Sequence, residues 1–280
     1  MSPVAAVIVD YRSGDTLRSC LASLRAEGVE RVVVVDNAAA GTSRPYVEAA
    51  TTVVEPGFNL GYGAGANRGV AALGQGDVPV LILNPDVEIH PGTLAALQRH
   101  LDADERVGIV GPTIQRPDGS TYPAHRVFPS PLLAAAHAVL GSWWPTNPFT
   151  RRYRSPREDG SVDWVSGACL LVRRAAFEAV GGFDERFFMF AEDMDLCWRV
   201  RQAGWSVVAA PDAVVTHVEG VSRRHAATAM VIAHHASALR FEAHAARGWR
   251  RAAVPLAAAV LGLRLVAILA VRRLRLGRRA

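Results

Sequence analysis

Three carboxylates, Glu192, Asp193 and Asp195, fall within four positions, directly behind the aromatic run Phe187-Phe188-Met189-Phe190. Like charges that close repel, and apolar neighbours make the charged forms costlier still. A carboxylate held in that way is a better base, so the chemistry it suits is removal of a proton from a hydroxyl. The run from Asp193 to Gln202 reads as a helix, with Leu196, Val200 and Ala203 on one face and Gly204 as its stop. The acids then stand at a helix start, where the backbone dipole favours negative charge with no chemistry involved. Asp195 also has an ordinary role, since Arg199 lies four residues on and can pair with it. Glu192 and Asp193 have no such partner in the sequence, which makes Asp193 the candidate base.

A second acidic position closes the apolar run Val80–Leu83, in Asn84-Pro85-Asp86. One or two carboxylates plus ligand phosphates is a common way to hold Mg²⁺ or Mn²⁺. The same three residue types also favour a simple turn. The segment Asn59-Leu60-Gly61-Tyr62-Gly63-Ala64-Gly65-Ala66-Asn67-Arg68-Gly69 has two readings as well. Its glycines can let backbone approach a phosphate at a helix start, or can permit close packing. Gly61, Gly63 and Ala66 match a loose dinucleotide fingerprint, but Pro56-Gly57 breaks the chain where a strand should lead in. His217 follows a strand-like pattern at Val207–Ala210 and Val214-Val215, and is either a metal ligand or a core histidine.

The elements that must position these groups alternate. Val4–Val9, Arg31–Val35, Val53-Val54 and Val80–Leu83 read as strands. Thr16–Leu24, Gly65–Leu73 and Thr93–Leu101 carry helical spacing. Alternation of this kind predicts an α/β fold with a parallel sheet covered on both faces. Three of the strands end in polar residues, at Asp10-Tyr11, Asp36-Asn37 and Asn84-Pro85-Asp86. Ligands of open α/β sheets bind at that carboxyl edge.

Composition narrows the class. Half of the 280 residues are apolar, so the chain is globular. Cys20, Cys169 and Cys197 form no CxxC pair and predict a reducing compartment. Met1–Asp10 lacks the basic start and apolar length of a secretory leader. All 31 basic residues are arginine, and nine of them lie from Arg247 onward, beyond the last acid at Glu242. The preceding 246 residues hold 22 arginines against 26 acids. That mildly acidic body argues against a nucleic-acid partner. From Ala252 to Val271 the chain is apolar apart from Arg264, and Arg272, Arg273, Arg275, Arg278 and Arg279 follow. Twenty such residues are long enough to span a bilayer. A central arginine is costly there. An interfacial helix held by arginines on anionic lipid fits the pattern better.

Five blocks in order give the chain a resemblance: Val7-Ile8-Val9-Asp10-Tyr11, Val34-Val35-Asp36-Asn37, Asn59 to Asn67, Leu83-Asn84-Pro85-Asp86, and Gly181 to Trp205. From Val4 to about Gly220 it resembles a family 2 glycosyltransferase of the GT-A fold, in particular the rhamnosyltransferase-like branch. That resemblance implies a Rossmann-like, mostly parallel sheet with helices on both faces, with a donor part over 1–110 and an acceptor-binding and catalytic part over 111–222. The composition of the tail adds C-terminal helices over 223–280, with 252–271 as the membrane segment.

The implied roles run residue by residue. Tyr11, Asp36, Asn59, Gly61 and Asn67 would bind the donor nucleotide. Asn84 and Asp86 would stand for the family's Asp-x-Asp motif, with Asn replacing its first acid. Trp164 and Gly167 would border the sugar. Asp86 and His217 would hold Mg²⁺ or Mn²⁺, and Glu192-Asp193 would be the acidic pair with Asp193 as base. The implied reaction is inverting transfer of one sugar, rhamnose from dTDP-rhamnose, to a glycan or polyprenyl-linked acceptor in cell-envelope polysaccharide synthesis. A Gln-x-x-Arg-Trp motif is missing, since Gln202-Ala203-Gly204-Trp205 lacks the arginine, and this favours single addition over processive synthesis. The expected place is the cytoplasmic side of the cell membrane, with a homo-oligomer compatible. Two rivals remain at this point: a non-catalytic membrane-attached scaffold, and a nicotinamide-dependent enzyme using the glycine fingerprint.

Overall fold

The computed structural model describes residues 3–38, 41–49, 51–128, 146–154, 162–218 and 227–277, together with 133, 140 and 144. Strand β1 (Ala5–Asp10) is buried along its whole length, as a central strand covered on both faces must be. It pairs in parallel with β2 (Arg31–Asp36) and β4 (Val80–Leu83), and β2 pairs in parallel with β3 (Thr52–Val54). The helices between them are α1 (Asp15–Ala26), α2 (Tyr62–Ala72) and α3 (Thr93–Asp102). Each expected element of this half is present, with ends moved by one to three residues.

Beyond β4 the sheet changes character. Strands β5 (Val87–Ile89), β6 (Val107–Gln115), β10 (Cys169–Val172) and β11 (Ser206–His217) complete the order β3-β2-β1-β4-β10-β6-β11-β5, with the short β7 (Thr121–Tyr122) on β6. Strand β10 runs antiparallel to both β4 and β6, and β5 runs antiparallel to β11. The expected mostly parallel sheet is present, with its antiparallel pairs in this half. Strand β10 is not delivered by a helical crossover from β6. It follows a two-stranded excursion, β8 (His125–Arg126) with β9 (Trp164–Val165), which reverses its direction. The two runs expected at Val207–Ala210 and Val214-Val215 are one strand with a register shift between them.

Two apolar layers cover the sheet. One holds Leu17, Leu21 and Leu24 of α1 with Leu94, Leu97 and Leu101 of α3. The other holds Val70 of α2, Phe177 of α5 (Arg174–Ala179) and Leu196 and Val200 of α6 (Glu192–Gln202). The short helix α4 (Pro148–Arg154) lies between β8 and β9 in the chain. Helix α7 (Ala227–Ala245) packs on α6 and on the C-terminal helix α8 (Val254–Gly277). The window Arg250–Ala270 is long and apolar enough to cross a membrane, with mean hydropathy 2.2 and none of it buried. Arg278 and Arg279, and the side chains of Arg272, Arg273 and Arg275, lie outside the described residues.

The glycines of α2 serve close packing. A Cβ on Gly69 would lie 2.3 Å from Val7 Cγ1, and one on Gly63 would lie 2.9 Å from Phe183 Cβ. At Gly61, with φ +86°, a Cβ would lie 2.1 Å from the Phe188 carbonyl oxygen. That carbonyl accepts the Tyr62 N–H at 3.0 Å. One of the free N–H groups of the α2 start is thus taken by the chain itself. No strand runs into Gly61, and the dinucleotide fingerprint fails on both counts.

Candidate active site

Parallel pairing brings the ends of β1, β2 and β4 to one edge, with Asp10 opposite Asp36 and Ile8 opposite Leu83. Tyr11 stands at this edge with 37% of its surface exposed, as an aromatic platform should. Asp36 does not. It is fully buried, and its oxygens accept from Ala38 N–H, Thr42 Oγ1 and Ser43 N–H. Those bonds hold the loop after β2 in place. Asp10 does the same from β1, accepting from Ser13 and from Ser43 Oγ.

Asn59 and Asn67 also bond within the chain. Asn59 Oδ1 accepts Gly61 N–H at 2.9 Å and Asn37 Nδ2 at 3.1 Å, so it shapes the turn into α2. The Asn67 amide clamps Phe183 at both ends: Nδ2 donates to its carbonyl and Oδ1 accepts its N–H, each at 2.9 Å. Asn67 ties α2 to the loop before α6, with Nδ2 donating also to Glu185 Oε1 at 3.2 Å. Trp164 is buried in the apolar layer, with Nε1 donating to Val127 O and the Arg126 guanidinium 4.8 Å from its ring centre.

Asp86 and His217 come together. His217 Nε2 lies 3.0 Å from Asp86 Oδ1, and both side chains are buried. The register of β5 against β11 places them, because His217 pairs with Val87 and Val218 N–H donates to Asp86 O. Asn84 Nδ2 lies 3.3 Å from the same histidine nitrogen. His217 Nδ1 is buried with no partner among the described residues. Two cis ligands about 2.1 Å from an octahedral cation lie about 3.0 Å apart, so this oxygen–nitrogen pair fits one Mg²⁺ or Mn²⁺ ion.

Another group with ligand-type atoms within 4.8 Å of one another is Asp184, Asp195 and His244. Its cations are already present. Arg199 Nε donates to Asp195 Oδ2 at 2.7 Å, His244 Nδ1 donates to Asp195 Oδ1 at 2.8 Å, and Arg186 forks onto Asp184. The expected Asp195–Arg199 pair is thus present inside a structural ion-pair network.

Helix α6 presents Glu192 and Asp193 in its first turn, one step after Phe190 and Ala191, which both have left-handed backbone angles, φ 67° and 60°. Glu192 is buried and its Oε2 has no partner among the described residues. Burial first, and the charge of Asp193 second, push its carboxyl up to about 8. Asp193 is also raised by burial, but N–H groups of Gly167 and Met194 donate to its two oxygens at 2.8 Å each and oppose the rise. The charge of Arg126 opposes it further. The two backbone donors favour negative charge on Asp193, whereas burial and the charge of Asp193 favour the neutral form of Glu192.

A short chain of bonds links the two acidic positions. Asn84 N–H donates to Ala168 O at 2.9 Å, and the neighbouring Gly167 binds Asp193 through its N–H. Tyr62 Oη donates to Gly167 O at 2.6 Å. Burial, then the charges of Glu192, Cys169, Asp193 and Asp86, hold its phenol well above the usual tyrosine range. Sequence reading passed over Tyr62, although an aromatic inside a glycine run was the available signal. Arg126 gave none, because only the excursion through β8 and β9 brings it near Asp193. An unpartnered buried acid beside a carboxylate is costly in a passive scaffold, which weighs against the non-catalytic rival.

Comparison with known proteins agrees with this geometry. The model of the family described as Glycosyltransferase like family 2 matches residues 2–236. The N-acetylglucosaminyl-diphospho-decaprenol L-rhamnosyltransferase of Mycobacterium tuberculosis is 43% identical over 263 residues, covering 88% of this chain and 86% of the relative. Rhamnosyltransferase WbbL of Escherichia coli is 26% identical over 206 residues, covering 71% of this chain and 76% of the relative. Among solved structures, a Pyrobaculum calidifontis mannosyltransferase in complex with GDP-Man and Mn²⁺ superposes with TM-score 0.61 at 21% identity, over 96% of this chain and 76% of the other. That likeness shows the GT-A fold.

Proposed function

From the premise that this chain belongs to glycosyltransferase family 2, we propose that it moves one rhamnose from dTDP-rhamnose to a polyprenyl-diphosphate-linked N-acetylglucosamine, with inversion. The observation that carries the site assignment is the bonded path from Asp86 to Asp193 through Asn84, Ala168 and Gly167. It supports two opposed roles a short distance apart. The mycobacterial relative's name supports the choice of sugar and of acceptor.

Asp193 accepts the proton of the acceptor hydroxyl. The hydroxyl oxygen bonds to the anomeric carbon as the bond from that carbon to the diphosphate oxygen breaks. The bonding electrons leave with the nucleoside diphosphate. Glu192 keeps its proton and so does not compete as a base. A divalent cation held by Asp86 and His217 would offset the charge on the departing diphosphate. Tyr11 offers a face for the base, and Gly167 borders the sugar while holding Asp193. In this reading residues 1–110 carry the donor, 111–222 the acceptor and the acids, and 223–280 the helices that approach lipid.

The exposed apolar positions Leu256, Leu263 and Val266 of α8 support contact with a bilayer. Arg264 between them favours a helix lying at the interface of the inner leaflet, where a lipid-linked acceptor is found.

The test is a thermal-shift series with dTDP-rhamnose and other nucleotide sugars, with and without Mn²⁺, on the parent and on Asp86→Ala. A ligand bound only by the native state raises the melting temperature. The expected result is a shift with dTDP-rhamnose that grows with Mn²⁺ in the parent and ignores Mn²⁺ in the variant. Selective stabilisation by another nucleotide sugar rejects the donor, and a preserved Mn²⁺ effect in Asp86→Ala rejects the metal site.

A further inference from the structure

Segment 186–191, which delivers Glu192 and Asp193, is held from outside at three carbonyls. Phe188 O accepts Tyr62 N–H from α2 at 3.0 Å. Met189 O accepts Ser237 Oγ at 2.8 Å, and Arg186 O accepts Arg240 NH1, both from α7. Helix α7 adds a ring contact from His234 to Phe190 at 5.3 Å and the bond from His244 to Asp195. Arg240 also lies 5.7 Å from the Phe187 ring centre. Residues 234, 237, 240 and 244 recur at helical spacing, so a single face of α7 reads the segment from end to end.

The segment needs holding. Phe190 and Ala191 are consecutive non-glycine residues in the left-handed region. Such conformations persist only where the surroundings over-determine them. They are also the hinge that sets where α6 begins, and hence where its first two side chains point.

We propose that α7 is a positioning element of the active site: Ser237 and Arg240, flanked by His234 and His244, lock the left-handed turn that aims Asp193 and Glu192. The proposal rests on the reading of Asp193 as the base. The family match ends at residue 236, so Ser237, Arg240 and His244 are outside what family membership assigns. Because α8 packs on α7, the element that approaches the membrane bears directly on the one that holds the acids.

The experiment is the double variant Ser237→Ala, Arg240→Met, assayed for dTDP release from dTDP-rhamnose with a short-chain polyprenyl-diphosphate N-acetylglucosamine acceptor. The expected outcome is a kcat at least about tenfold lower, with donor Kd within about twofold of the parent. Adding Ala191→Gly supplies a residue that adopts the left-handed region freely. It should restore most of the lost kcat, which a general loss of folding would not allow. Parental kcat in the double variant overturns the proposal, and so does a loss that glycine at 191 leaves unrestored. Asp193→Asn is run beside them. Turnover surviving in that variant removes the base assignment alone, whereas an inactive Asp193→Asn beside a fully active double variant removes the clamp alone.

Discussion

On the strand side of the site, Asp10, Asp36 and Asp86 stand at the ends of regular strands, and each carboxylate already has partners. On the helix side, Glu192 and Asp193 follow two strained residues, and one oxygen of Glu192 has none. The first side is rigid because a parallel ladder fixes it, and its acids shape loops or pair with His217. The second side is held by contacts from α2, α7 and the loop at Gly167, each distant in sequence. Binding a donor needs a fixed frame, whereas taking a proton needs a carboxylate aimed by neutral backbone donors, as Gly167 and Met194 aim Asp193. The chain separates the two demands, with ordinary secondary structure for one and a clamped irregular turn for the other.

The hardest blow to this division is Asp193→Asn. It removes the base and keeps the shape, and asparagine can still accept from Gly167 N–H. Loss of a general base lowers rates by about 10²–10⁴-fold. Turnover is expected to fall by that range while donor binding, read by thermal shift, stays at the parental value. Equal losses in both would mean that residue 193 supports the frame, and the contrast between the two sides would dissolve.

How much of this was legible depends on the same contrast. Strands β1, β2 and β4 and helices α1 to α3 announce themselves by period, because each buries a regular face. Asp86 and His217 are distant in sequence, yet both stand beside regular strands, and the family resemblance paired them. Arg126 and the α7 face were not legible, and Tyr62 gave only its place in a glycine run. Their roles are set by tertiary packing between distant segments, which leaves no period to read. Asn59 and Asn67 were read as ligand contacts because their residue type suits either use. Only the coordinates tell that their amides are bonded to backbone at Gly61 and Phe183.

A smaller effect sharpens the comparison through stability. Glu192 is pushed up to about 8 by burial and by Asp193, against roughly 4.3 for an unfolded glutamate. A group with a raised folded pKa contributes stability that is complete below its unfolded value and lost as pH rises through its folded one. The parent should therefore weaken between those limits, and Glu192→Gln should not. The variant is expected to gain up to about 5 kcal/mol over the parent at pH 8.5 relative to their difference at pH 4. Urea unfolding at the two pH values measures it. A difference that ignores pH would mean that Glu192 titrates as in the unfolded chain and is charged at neutral pH, leaving the pair with two competing bases.

The smallest effect on turnover is expected from deleting residues 254–280. Helix α8 contributes no side chain to the acids, and α7 with Ser237, Arg240 and His244 stays intact. A short, water-soluble acceptor should therefore be glycosylated at close to the parental rate. What changes is location: the parent is expected to sediment with anionic vesicles and the truncated form to stay in solution, because the exposed Leu256, Leu263 and Val266 and the terminal arginines are gone. Co-sedimentation at low and high salt separates the two forces, since arginine attraction to lipid is screened and apolar burial is not. Salt-insensitive binding of the full chain favours a spanning helix over an interfacial one. A truncated form that still sediments places the membrane contact on the body, and the acceptor would then reach Asp193 by a route that owes nothing to α8.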